Sequence, residues 1–132
     1  MPIKQLTVFL ENQTGRLAEV TRILKNQGVN LQGFSTTEAR DYGILRLIVS
    51  DTEKARQSLK DAGFTTHIAE AICVKVEDRP GELYKILEIL ANFKINIDYI
   101  YVIAGTRLVL SVEDIKKTEG ILQQNGVKLC SD

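Results

Sequence analysis

The chain has no surplus of either charge. Lysine and arginine number 17 among its 132 residues, and so do aspartate and glutamate. A protein that binds nucleic acid or an anionic membrane normally carries a basic excess, so neither partner is expected. Histidine is nearly absent: His67 is the only one. Without a Ser/Cys/His constellation around it, a nucleophilic or tuned acid–base centre has little to build on. Two cysteines, Cys73 and Cys130, stand far apart with no CxxC and no Cys/His cluster, so no zinc or other metal site is expected. No long apolar run is found, and residues 1–12 lack the layout of a signal peptide. These absences lead to the expectation of a soluble, cytoplasmic protein with reduced thiols and no cofactor.

What is present is a repeat. Residues 10–31 (LENQTGRLAEVTRILKNQGVNL) align with 76–97 (VEDRPGELYKILEILANFKINI) at an offset of 66, with 7 of 22 positions identical. Chance would give roughly one or two. Residues 45–64 then align with 108–127 at an offset of 63, again with seven identities, so the second half has lost three residues between the blocks. Deletions are tolerated best in exposed turns. A hairpin is therefore expected there, at Asp41-Tyr42-Gly43 in the first half. The repeat divides the chain into domains at 1–70 and 71–132.

Each half shows the same order of periodicities. Leu6, Val8 and Leu10 alternate, as do Ile72, Val74 and Val76, which reads as strands over 4–10 and 72–77. Leu17, Val20 and Leu24, and Leu83, Ile86 and Leu90, recur at helical spacing. Pro80 suits the first turn of the second of these helices. Gly28 supplies a helix stop, whereas Lys94 in its place must take a positive φ. Strands are expected over 31–39, 44–50 and 64–70, and over 97–104, 107–112 and 127–130. Asp51 and Asp114 are good caps for a second helix in each half, closed by Gly63 and Gly126. The order β-α-β-β-α-β, twice, predicts an α+β protein of two ferredoxin-like domains. Each would be an antiparallel sheet with its helices on one face, the two paired side by side.

The positions that a fold alone does not explain lie where strand 1 meets helix 1. One half has Asn12-Gln13-Thr14-Gly15-Arg16-Leu17, the other Asp78-Arg79-Pro80-Gly81-Glu82-Leu83. A second shared point precedes strand 2: Asn30-Leu31-Gln32 and Asn96-Ile97-Asp98. A helix start presents unpaired amides and partial positive charge, where a small carboxylate can dock. Glycine at 15 and 81 permits close approach to the main chain. Side-chain oxygens of Asn12, Asp78, Asn30, Asn96 or Asp98 could accept from an ammonium group.

The run DRPGEL followed by INIDYI resembles the ACT domain, and ENQTGRL with VNLQGF is a looser copy. The resemblance spans the chain as two tandem units and is similar to stand-alone tandem-ACT proteins. It implies a non-catalytic regulator that binds a free amino acid and acts on a partner enzyme of amino-acid metabolism, as a homodimer. It also implies that each site is shared between units. One would join Asn12, Thr14, Gly15, Arg16 and Leu17 to Asn96, Ile97 and Asp98. The other would join Asp78, Arg79, Gly81, Glu82 and Leu83 to Asn30, Leu31 and Gln32.

Plainer readings stand beside this one. Asn12 and Asp78 are favoured first as helix caps, and Asn30 and Asn96 fit turns. His67 is expected at the surface. Cys73 and Cys130 fall on neighbouring strands, on the face away from the helices, as reduced thiols, with a redox clasp the lesser alternative. Tyr99 and Tyr101 share a strand face and serve packing or a subunit interface, since the basic-aromatic pattern of RNA-binding sheets is missing. Two other functions remain open: a ligand-free interaction module that pairs through sheet edges, and a small enzyme on the ferredoxin-like fold with a carboxylate–lysine mechanism.

Overall fold

The computed structural model describes residues 2–11, 13–38 and 42–130. The chain forms two compact units, Lys4–Ala69 and the run from Glu70 onward together with Ile3. Its elements follow the order β1 (Ile3–Glu11), α1 (Arg16–Asn26), β2 (Leu31–Glu38), β3 (Tyr42–Val49), α2 (Thr52–Asp61), β4 (Thr65–Lys75), α3 (Glu82–Asn92), β5 (Ile97–Ile103), β6 (Arg107–Val112) and α4 (Ile115–Gln124).

In the Lys4–Ala69 unit the strands lie in the order β2-β3-β1-β4. β1 and β2 both pair antiparallel with β3, with Leu6 opposite Leu47 and Phe34 opposite Leu47. One face of this sheet carries Leu6, Val8, Leu45, Leu47 and Val49. Against it lie Val20 and Leu24 of α1, Ala55 and Leu59 of α2, and Phe64. The second unit repeats the plan. β6 pairs antiparallel with β4 and β5, and Leu129 bridges Val74 on the other edge of β4. Ile72, Val74, Leu108, Leu110 and Val112 meet Ile86, Leu90 and Leu122. Burying each of these side chains contributes about 1.5–3 kcal/mol. Each unit is thus a βαββαβ sheet with both helices on one face.

The ends of the elements follow local chemistry. Asp51 and Asp114 cap α2 and α4, accepting from the backbone N–H of Lys54 and Lys117 at 3.1 Å in both cases. Lys94 takes a positive φ of 57°, where Gly28 has 68°.

Four expectations need correction. The strands foreseen over 64–70 and 72–77 are one strand, β4, which stops at Lys75; no glycine, proline or asparagine interrupts residues 64–77. The last strand foreseen over 127–130 is reduced to the single bridge at Leu129. Pro80 precedes α3 instead of entering its first turn, because Gly81 is the N-cap. Of the expected hairpin turn, Asp41 lies outside the described residues, while Tyr42 and Gly43 already belong to β3. No helix among the described residues is long and apolar enough to cross a membrane.

Candidate functional site

The two β-to-α loops have the same backbone. Gly15 has φ 86° and ψ −1°, Gly81 has φ 85° and ψ −9°, and each is the N-cap of its helix with no side-chain cap. In both loops a tight turn precedes the glycine: Gln13 N–H donates to Glu11 O at 2.8 Å, and Arg79 N–H to Glu77 O at 2.9 Å. The left-handed conformation strains any residue with a Cβ, and that accounts for the glycine in both copies. Space is not the reason, since a Cβ at either position would meet nothing within 4 Å. Each helix start is exposed, with Leu17 at 41% and Leu83 at 44%. No side chain caps either start; Arg16 N–H donates to Gln13 O at 3.4 Å and Glu82 N–H to Arg79 O at 3.3 Å, and a helix start without a capping side chain favours an anionic group.

Asp78 is not a cap, contrary to the plainer reading; the capping position is one glycine with no side chain to offer. Asn12 lies outside the described residues. Thr14 and Asp78 are exposed and make no side-chain hydrogen bond or ion pair with described residues.

Apart from Asp78, the charged members of the loops are engaged internally. Arg16 bonds Glu19 at 2.9 Å, and its guanidinium carbon lies 4.5 Å from the centre of the Phe64 ring. In the second unit the pair is reversed: Glu82 stands at the place of Arg16 and Lys85 at that of Glu19, 3.2 Å apart. Arg79 is held between Glu77 and Glu82. Tyr84 donates to the Glu88 carboxylate, which raises its hydroxyl above the ordinary tyrosine range.

The second part of each predicted site is the start of β2 or β5. Both strands carry a bulge there, between Leu31 and Gly33 and between Ile97 and Tyr99, so Gln32 and Asp98 sit at the irregularity. A bulge re-aims side chains and is over-represented beside functional sites. Asn30 is pinned by its main chain: its N–H donates to Ser50 Oγ at 2.9 Å, and its carbonyl accepts from Ser50 N–H at 3.0 Å. The side chains of Asn30, Gln32, Asn96 and Asp98 are exposed and unbonded among described residues. Leu31 and Ile97 are half-buried against the cores.

Within one unit these two parts do not meet. They stand at opposite ends of an 11-residue helix, which is about 16 Å long.

Sequence reading missed the ring beneath Arg16 and the serine that fixes Asn30. Phe64 sits 48 residues from Arg16 and Ser50 sits 20 from Asn30, and no local pattern links them. It also took the cysteines as reduced, whereas Cys73 and Cys130 form a disulfide, with Cα atoms 5.2 Å apart. Cys130 N–H donates to Cys73 O at 2.8 Å, so the backbone register itself brings the two sulfurs together. Tyr99 and Tyr101 stack on each other at 6.4 Å, and His67 is exposed, as expected.

Two βαββαβ units, each opening its first helix on an uncapped glycine, define a tandem ferredoxin-like protein. The chain belongs to the ACT domain pair family, whose model matches residues 1–132. Protein BT0572 from Bacteroides thetaiotaomicron is 37% identical; the match covers 98% of this chain and 92% of that one, with a TM-score of 0.93. The regulatory subunit of aspartate kinase from Thermus thermophilus, in ligand-free form, shares the fold at 16% identity and a TM-score of 0.68. It covers 91% of this chain and 88% of its own. The corresponding subunit from Thermus flavus is 15% identical, with a TM-score of 0.63 and the same coverage. A search of curated proteins gives no match.

Proposed function

We propose that this chain is a non-catalytic regulator that binds a small free amino acid and transmits the event to an enzyme of amino-acid metabolism. The observation that carries the reading is the repeated loop: in each unit a left-handed glycine opens a helix that no side chain caps. The helix amides suit the α-carboxylate. The unbonded oxygens of Asp78, Asn30, Asn96 and Asp98 suit the ammonium group.

Since loop and strand start lie a helix apart within a unit, a complete site draws on two units. Thr14, Gly15, Arg16 and Leu17, with Asn12, would face Asn96, Ile97 and Asp98. Asp78, Arg79, Gly81, Glu82 and Leu83 would face Asn30, Leu31 and Gln32. The halves 1–70 and 71–132 are the modules of this scheme, in a cytoplasmic homodimer. The Thermus relatives, as regulatory subunits of aspartate kinase, support a kinase or other amino-acid enzyme as the partner. Coupling of about 1–3 kcal/mol between ligand and partner suffices. Calorimetry against the twenty amino acids tests the reading; silence from all of them at millimolar concentration rejects it.

One observation favours a second reading, a ligand-free interaction module. β5 is the outer strand of its unit, its helix-side residues Ile100 and Val102 are 38% and 55% exposed, and its one charge is Asp98. Such an edge invites strand pairing. Thermal shift separates the two, because a ligand at 100 times its dissociation constant adds about 2.7 kcal/mol of stability.

A further inference from the structure

The second unit carries a row of cations that no described residue neutralises. Lys75, the last residue of β4, stands directly opposite Arg107, the first of β6. Val76 N–H donates to Thr106 O, so Lys75 and Arg107 form the neighbouring non-hydrogen-bonded pair, whose side chains come closest. On the other edge of β4, Lys75 N–H donates to Lys128 O at 2.9 Å, and the Val74–Leu129 bridge sets Lys128 beside Lys75. Residues opposite one another on adjacent strands share a face. Lys128, Lys75 and Arg107 thus line up across three neighbouring segments, within about 10 Å. They lie on the face of Cys73, away from the helix-covered side that holds Ile72 and Val74.

Like charges placed directly opposite destabilise a sheet. None of the three forms a hydrogen bond through its side chain, or an ion pair, among the described residues. Glu77, Glu82 and Glu88, the acids at this end of the unit, are engaged elsewhere: Glu77 with Arg79, Glu82 with Arg79 and Lys85, Glu88 with Tyr84.

The fold does not require the row. Through the repeat, Lys75, Arg107 and Lys128 correspond to Phe9, Ile44 and Thr65, and Phe9 faces Ile44 in the same register. Three neutral positions in one half have become three cations in the other, in a chain whose total charge is balanced.

We infer that the second unit holds a binding site for a small polyanion, a molecule with two or more clustered negative charges such as a phosphate ester or a tricarboxylate, gripped by Lys75, Arg107 and Lys128. Three cations within about 10 Å match clustered negative charges on one small molecule, and arginine supplies the planar fork that fits phosphate or carboxylate oxygens. The site stands apart from the amino-acid reading and is not needed for it.

Calorimetry with pyrophosphate and with citrate, at low and at high salt, tests the inference. Binding that weakens as salt rises is expected for at least one probe. Which of them binds assigns phosphate or carboxylate chemistry. Arg107→Gln and Lys75→Gln should each weaken it about tenfold, the fold-change of a lost charge-assisted hydrogen bond. The helix variants Lys116→Gln and Lys117→Gln should leave it unchanged. Both row variants should fold, since they relieve repulsion. Amide shifts in the unmodified protein give a second readout, expected at residues 75, 107 and 128. No binding at 10-fold millimolar excess of either probe, equal loss in the helix variants, or shifts confined to other residues overturns the inference.

Discussion

Asp78 and Asn96 are exposed polar side chains with no partner among the described residues, and that makes them useful probes. Asp78→Ala is expected to change unfolding free energy by no more than about 0.5 kcal/mol, as for a surface residue without a structural contact. On the amino-acid reading it should weaken ligand binding about tenfold, by removing the anionic acceptor. Urea unfolding and calorimetry on the one variant decide between roles: a loss of 1 kcal/mol or more would restore capping. The glycines of both loops were legible in the sequence, because a positive φ leaves a glycine at one position in two diverged copies. The partners of Arg16 and Asn30 were not, because Phe64 and Ser50 reach them only through the folded sheet.

At the scale of elements, the second helix of each unit rests on one capping bond. Asp51→Ala and Asp114→Ala should each cost about 1 kcal/mol. The sites share no partner, so the double variant should lose the sum to within about 0.5 kcal/mol. A strongly sub-additive urea series would contradict the assignment of the caps to separate units. The first helix of each unit was legible from apolar spacing over eleven residues, and the second from its aspartate cap. The junction at residues 64–77 was harder. Two strands of equal phase with no turn residue between them read alike whether joined or broken, and backbone pairing decides that they form one strand. The loss of the final strand has a related cause: three or four residues near a chain end give one bridge and too little pattern to set a length.

For the whole molecule, the Cys73–Cys130 bond adds a covalent constraint to the two cores. It closes a loop over a sequence separation of 57 residues, which on the chain-entropy account is worth roughly 4 kcal/mol. Denaturant unfolding with and without a thiol reductant should show a loss of that order, confined to the unit from Glu70 onward. Thiol labelling of the native protein should find no reactive cysteine; two equivalents of label would mean that the bond is open in solution. A cytoplasmic setting works against such a bond, so the labelling result bears on location as well as on stability. The bond also tethers the segment that the backbone pairing sets beside Lys75, and reduction should therefore weaken polyanion binding more than it weakens amino-acid binding.

The division between the two units falls inside β4, between Ala69 and Glu70. Domains are usually separable at an exposed linker, and here there is none to cut. A protease working on the native protein will find its first cleavage elsewhere, at loops such as those before α1 and α3. Gene fragments ending near residue 70 will each carry half a severed strand with open hydrogen-bonding groups, a ready template for aggregation. Dissecting the halves for separate study calls for duplicating β4 in both fragments.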